Sequence, residues 1–201
     1  LKNGMKYALF PVETRDDRTY ATITMDFGTE KSLFDKGTVV DLTSYLLLRG
    51  SDKYSLQDIA DKSIDAGGAA YASADGNGMT INIQSKTEKF DEFFKFVLEV
   101  MKNPKFEQSQ FDLIKSQSLS SLDRPYTEPD VVAGLTLSRL VEEYQPGDLR
   151  YHFEPELAKK QLKNVTQEQV KELYQHFFAM NHAQIAITGA FDAKKMKKLL
   201  N

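Results

Sequence analysis

Residues 36–51 read KGTVVDLTSYLLLRGS, and this stretch decides the fold because it predicts a helix that the rest of the chain must cover. Its apolar side chains occupy more than one helix face, which is typical of a largely buried helix. These side chains are Val39, Val40, Leu42, Leu46 and Leu47. Arg49 in the last turn and Gly50 just beyond it indicate where the helix ends. Asp41 is the one acid in this apolar segment.

Two runs rich in β-forming residues precede this helix, at residues 5–12 and 19–27. A charged segment at residues 13–18 separates them, so the two runs are predicted to pair as a β-hairpin. In the second run, polar and apolar residues alternate, which predicts a strand with one buried face.

A second helix is predicted to begin at Ser55, because Ser55 and Asp58 have the spacing of a capping box. Its predicted inner stripe consists of Leu56, Ile59, Ala60, Ser63 and Ile64, and the glycine pair at residues 67–68 ends it. Residues 69–74 and 79–85 are predicted strands. The segment DGNG at residues 75–78 lies between them and favours a tight turn, so a second hairpin is expected.

Four more helices are predicted from apolar residues at spacings of three and four. They cover residues 88–101, 106–122 and 129–144, and the fourth begins at Thr166. A last strand is predicted at residues 183–190, with a closing helix from Asp192. The order β-β-α-α-β-β-α-α-α-α-β-α predicts one α+β domain over residues 1–201. Its mainly antiparallel sheet of about five to six strands should be covered on one face by helices.

Composition excludes several classes of function. The formal net charge of -3 argues against a nucleic-acid partner. The absence of cysteine excludes thiolate zinc sites, a cysteine nucleophile and disulfides. No apolar run approaches the ~20 residues of a membrane span. The chain starts at Leu1 without an initiator methionine, so we expect a piece of a longer protein. The sequence does not determine the cellular compartment, and it is compatible with a periplasmic or membrane-associated parent protein.

Several segments, taken in order, resemble one subdomain of the M16 metallopeptidases (insulinase, pitrilysin and the mitochondrial processing peptidase). The matching segments are residues 1–5 (LKNGM), 43–56, 66–75 (AGGAAYASAD), 122–125 (LDRP), 146–151, 165–166 and 181–192 (NHAQIAITGAFD). No single segment is specific, but the ordered set covers nearly the whole chain. The resemblance implies an αβ subdomain from a longer protein built of two homologous halves.

Active M16 halves carry an inverted zinc motif, H-x-x-E-H, on the helix that corresponds to residues 36–51. In the alignment on Arg49 and Gly50, the two histidine positions fall on Asp41 and Tyr45, and the glutamate position falls on Ser44. A further glutamate ligand would fall within residues 111–122, yet no glutamate occurs between residues 108 and 127. The resemblance therefore implies a domain with no catalytic residue, no metal site and no cofactor. Zinc is expected only in a catalytic half or partner.

Other kinds of site are not supported by the sequence. No serine lies in a G-x-S-x-G segment, and no glycine-rich loop joins a strand to a helix as a phosphate loop does. The three histidines, His152, His176 and His182, are interpreted as ordinary surface or half-buried residues, not as metal ligands.

Two functions from different classes are compatible with this pattern. In the first, the chain is a non-catalytic M16 half that pairs with a zinc-bearing half or subunit and helps to hold a peptide substrate. The strand at residues 69–74 would line the chamber, and the parent or its partner would be a zinc metalloendopeptidase. In the second, the chain is a structural or binding homologue without a proteolytic partner, like a core subunit of the respiratory bc1 complex. Substrate-contacting residues stay unassigned, and a homodimer of the fragment stays open. A zinc hydrolase activity of the fragment itself is not expected.

Overall fold

The computed structural model describes residues 4–26, 28–75, 78–122, 129–141, 143–151, 154–178 and 183–200. Five strands and eight α-helices lie within these ranges. The strands are β1 (Lys6–Pro11), β2 (Arg18–Asp26), β3 (Ala69–Asp75), β4 (Gly78–Lys86) and β5 (Ala183–Gly189). The helices are α1 (Gly37–Leu46), α2 (Leu56–Asp65), α3 (Phe90–Lys102), α4 (Gln108–Leu122), α5 (Pro129–Val141), α6 (Pro155–Asn164), α7 (Gln167–Phe177) and α8 (Ala193–Leu200).

The five strands form one sheet in the order β1-β5-β2-β4-β3. All neighbours are antiparallel except β1 and β5, which run parallel with Lys6 opposite Gln184. In the centre of the sheet, Ile23 of β2 lies opposite Ile81 of β4 on one side and Ile185 of β5 on the other. The predicted α+β class with a mainly antiparallel sheet is confirmed.

The predicted hairpin of the first two strands is wrong. β5 lies between β1 and β2, although it follows them in the chain by more than 150 residues. Apolar burial explains the order. β5 buries alternate residues against the helices, whereas no residue of β1 is buried. The strand with the fuller apolar face takes the inner position, and β1 takes the edge.

One face of the sheet carries the hydrophobic core, as predicted. Side chains of β2, β4 and β5 that point to this face are almost fully buried: Ala21, Ile23, Met25, Met79, Ile81, Ile83, Ala183, Ile185 and Ile187. The phenylalanine stripe of α3 packs on them, and Phe90 and Phe94 are fully buried and stacked on each other. Each fully buried phenylalanine, isoleucine or methionine side chain contributes about 1.5–3 kcal/mol of stability through burial.

Helix α1 has the predicted buried body but is shorter than predicted. Its five predicted core residues are all buried. The helix ends at Leu46 instead of continuing to Arg49. The N–H groups of Leu47 and Arg49 donate to Ser44 and Leu46, three residues back, which tightens the last turn. Gly50 follows with φ 136, a conformation that favours glycine.

Helix α2 has the predicted start but not the predicted inner face. Ser55 Oγ accepts from the Asp58 N–H, and the Asp58 carboxylate accepts from the Ser55 N–H, so the capping box is confirmed. The predicted inner stripe is wrong because no residue of α2 is buried. Leu56 is 36% exposed and Ile64 is 78% exposed. Only Ile59 of this helix packs against the core, where it is partly buried, and an open groove lies along the helix.

Two helix predictions in the second half of the chain need correction. Helix α6 was not predicted, so five α-helices, not four, lie between β4 and β5. It begins with Pro155 at its first position, and only Leu162 is buried. Helix α5 ends at Val141 instead of Tyr144, and residue 142 lies outside the described residues. Over the described part of the chain, no helix has the length and apolar character needed to cross a membrane.

Candidate functional site

A groove of about 560 Å³ lies between the edge strand β3 and helices α1, α2 and α4. The end of α1 forms its floor, β3 forms one wall, and α2 and α4 form the rest. It is lined by Ser44, Tyr45, Leu48, Arg49, Leu56, Ile59, Ala60, Ala70, Tyr71, Ala72, Ile114, Gln117, Ser118 and Ser121. The groove thus lies against the helix that, by the resemblance, corresponds to the zinc-motif helix of active M16 halves.

The floor holds two of the three positions on which the resemblance places residues of the zinc motif. Ser44 is buried, and its Oγ donates a 2.7 Å hydrogen bond to the Asp41 carbonyl oxygen. That hydroxyl is therefore engaged with the backbone of its own helix. Tyr45 lies beside it and is half exposed to the groove. Neither side chain is an imidazole. The floor therefore offers the phenol of Tyr45 and the hydroxyl of Ser44, which is already hydrogen-bonded.

Asp41, the third position, lies one helical turn before Tyr45. Part of its side chain is open to solvent, yet the surrounding protein displaces enough water to raise its pKa to about 6. Burial also raises the pKa of Tyr45, and the nearby Asp41 carboxylate raises it further. The two side chains are close enough to interact, but a carboxylate and a phenol do not make the three-ligand site that catalytic zinc requires.

Helix α4 forms the wall where the resemblance places the later glutamate ligand. It presents Gln117, Ser118 and Ser121 to the groove, all neutral. Arg49 is the one charged residue in the lining described above, and its Nε donates to Gln110 Oε1 at 2.9 Å. Among the described residues, no three His, Cys, Asp or Glu side chains come together as a potential metal site.

Strand β3 has one hydrogen-bonded side and one free side. It pairs with β4 from Ala69 opposite Gln84 to Asp75 opposite Gly78, and it is the last strand of the sheet. Asp75 and Gly78 close a two-residue connection, so hydrogen-bonded and non-bonded pairs alternate from that point. The backbone groups of alternate residues, Ala70 and Ala72 among them, therefore point away from β4. Such an edge can accept a further extended strand.

His176, the one histidine within the described residues, does not line this groove. His176 is on α7, where its Nδ1 lies 2.7 Å from the Glu172 carbonyl oxygen. His152 and His182 lie outside the described residues, as do residues 1–3 and 123–125 of the segments that carry the resemblance.

The sequence did not indicate several residues of the groove. Ile59 and Ala60 were assigned to a core-facing stripe. Ile59 does pack partly buried against the core, but both residues also line the groove. The polar face of α4 was also missed. Gln117, Ser118 and Ser121 stand among the apolar residues of a helix with only two buried side chains, Phe111 and Ile114. These polar residues, close together in the second half of α4, are the sequence signal that could have indicated an open face.

Structure comparison identifies the fold, although the sequence matches no family model and no curated protein. The M16 inactive domain from Pseudomonas fluorescens superposes with a TM-score of 0.78 at 19% identity, covering 98% of this chain and 47% of that one. The fold is that of an M16 peptidase domain. A Helicobacter pylori protease superposes at 0.79 with 15% identity, covering 99% and 47%. The Escherichia coli periplasmic protease PqqL also gives 0.79 at 15% identity, covering 100% and 22%.

The M16 fold extends over the whole chain, but this chain spans only about half of the first two structures and about a fifth of the third. The predicted resemblance is confirmed at the level of the fold. The neighbours named above come from bacteria and include a domain described as inactive as well as proteases.

Proposed function

We propose that this chain is a non-catalytic M16 unit that forms one wall of a peptide-binding chamber, opposite a zinc-bearing catalytic unit. One observation carries the proposal. An open groove runs beside a free strand edge, and its lining offers neither a metal site nor an activated nucleophile. Such a groove can bind an extended peptide, but it supplies no group for cleaving one.

The groove is suited to a peptide in an extended conformation. The free edge of β3 would pair with the peptide backbone, and peptide side chains on alternate positions would enter the groove. Leu48, Leu56 and Ile59 offer apolar contacts, while Gln117 and Ser118 offer hydrogen-bonding groups. Backbone pairing is independent of sequence, so this wall would hold many peptides with modest selectivity.

The structural neighbours support the existence of a companion unit. Two of them are chains of about twice the length matched here, and PqqL is longer still. We place zinc in the companion unit or partner subunit only, so that the parent assembly is the metalloendopeptidase. A periplasmic parent agrees with the description of PqqL.

Filling the groove tests the proposal. In the assembled parent, Ala60→Trp places an indole in the groove and should raise KM for a peptide substrate at least tenfold, with kcat changed less. Gln57→Trp, on the same helix but outside the lining, should leave KM unchanged. Steady-state cleavage of a fluorogenic peptide measures both.

Two results would contradict the proposal. Equal KM values for the two variants would show that the groove does not hold substrate. Absence of chelator-sensitive cleavage by the assembly would favour the structural homologue without a proteolytic partner.

A further inference from the structure

Helix α5 exposes most of its large apolar residues, and none of them lines the groove. Leu137, Leu140 and Val141 are 61%, 78% and 68% exposed. No side chain of the helix is buried. For comparison, the most apolar stripe of the domain, that of α3, is almost wholly buried. The exposed side chains of α5 thus form a feature that the groove does not explain.

The exposed residues share one helix face. Ala133, Leu137, Leu140 and Val141 recur at spacings of three and four, so they form a stripe along the outer side of the helix. On the inner side, Leu135 and Arg139 are partly buried four residues apart, and Arg139 pairs with Glu154 at 3.7 Å. The helix is therefore held to the domain by its inner side, while its outer stripe is left in solvent.

Helix α5 has little within this domain to stabilise it. It has only 13 residues, and isolated helices of that length are marginal in water. Gly134 in its interior weakens it further, and a Cβ at this position would meet no atom within 4 Å. Contact with another body along the stripe would supply the burial that the domain does not.

We propose that the outer stripe of α5 is a docking surface for the companion M16 unit of the same parent chain. The neighbours of known structure contain a further stretch as long as this chain, and this is the body available to cover it. The stripe carries no charge, which suits an apolar partner surface. This inference rests on the proposed function only for the existence of the companion unit.

The size of the stripe favours a unit in the same chain over a second copy. Stable independent dimers bury roughly 1,200–2,000 Å² in total, and four aliphatic side chains provide only a fraction of that area. A tethered unit needs less, since the linker raises its effective concentration to the millimolar range.

Cysteine accessibility in the full-length parent tests the docking. The chain has no cysteine, so Leu140→Cys introduces one thiol into it, and Ile64→Cys is a matched control. Both positions are 78% exposed here and lie in the last turn of a helix. With Ellman's reagent, the thiol at position 140 should react at least tenfold more slowly than the thiol at position 64. The difference should vanish in urea.

Cross-linking then identifies what covers the helix. A maleimide–diazirine reagent on the thiol at position 140, with mixed isotope-labelled and unlabelled protein, should link to residues of the same parent chain outside residues 1–201. Equal thiol reactivity at positions 140 and 64 would overturn the proposal. So would links to a second copy, which indicate a homodimer, or links only within residues 1–201. Loss of peptidase activity is not part of this readout, so docking can hold even if the proposed function fails.

Discussion

The carboxyl of Asp41 shows at the scale of one residue how the surrounding protein affects a charged group on α1. It stands on α1 where the resemblance places a zinc ligand, and the surrounding protein raises its pKa to about 6. Nothing positively charged is among the causes of this shift. A carboxylate in such surroundings is destabilised in the folded state, because the unfolded chain hydrates its charge fully.

Replacement of Asp41 should therefore stabilise the protein at neutral pH. Because the folded pKa lies above the ordinary value of 3.8, the folded state binds more protons than the unfolded state between these values. The contribution of Asp41 to wild-type stability thus falls as pH rises from 3.8 through 6. Asp41→Asn should be about 1 kcal/mol more stable than wild type at pH 7, allowing for solvent screening of a partly exposed group, and equal to it below pH 3.8.

Urea unfolding at both pH values measures this difference. Asp112→Asn is the control, since Asp112 lies on the surface of α4 and accepts a hydrogen bond from Gln108 Nε2 at 2.7 Å. The free energy of unfolding of the Asp112→Asn variant should have the same pH dependence as that of the wild type. A destabilising effect of Asp41→Asn at pH 7 would show that the charged carboxylate has a favourable partner.

At the scale of single elements, helices α2 and α7 have the same kind of N-terminal cap but differ in how much of each helix is buried. Ser55 with Asp58 and Thr166 with Gln169 each form a capping box. Helix α7 also buries Val170 and Leu173 in the core, whereas α2 buries nothing. The wall that α2 gives to the groove therefore depends on its cap more than α7 does.

Loss of the cap should loosen α2 selectively. Ser55→Ala removes a cap worth about 1 kcal/mol, so protection of the α2 amides from hydrogen exchange should fall about fivefold. Thr166→Ala removes the same kind of cap, but α7 beyond its first turn should keep its protection. Native-state hydrogen exchange with mass spectrometry compares the two. Equal loss in both helices would mean that burial in the core does not support α7.

The sequence predicted elements well where one segment determines its own structure. The capping residues, the DGNG connection of β3 and β4 and the phenylalanine stripe of α3 are examples of such local determinants. Prediction failed where distant segments compete. The position of β5 between β1 and β2 depends on which strand has more apolar surface to bury, and adjacency along the chain misled the hairpin prediction.

The groove was predictable only in part for the same reason. The resemblance indicated which α1 positions lack zinc ligands and that β3 lines a chamber. Periodicity could not show that Ile59 and Ala60 face a cavity, because a stripe that faces a groove has the same spacing as one that faces a core. Whether an apolar helix face is covered depends on what packs against it. The apolar residues of α5 likewise have helical spacing, yet they are exposed.

At the scale of the whole molecule, the described residues have the fold of an M16 peptidase domain, and the proposed function assigns the chemistry to a second unit. The sheet, the buried α1 and the free edge of β3 are all in place. The described residues provide no cluster of metal-binding side chains. In the proposed function, this chain positions a peptide next to the active site of a second unit, and that unit supplies zinc.

Zinc content and cleavage, measured together, test this central claim most directly. The purified chain of residues 1–201 should contain no stoichiometric zinc by elemental analysis and should not cleave a fluorogenic peptide. The assembly with its companion unit should contain one zinc per catalytic unit and show cleavage that a chelator abolishes. Stoichiometric zinc together with chelator-sensitive cleavage by the chain of residues 1–201 alone would contradict the account.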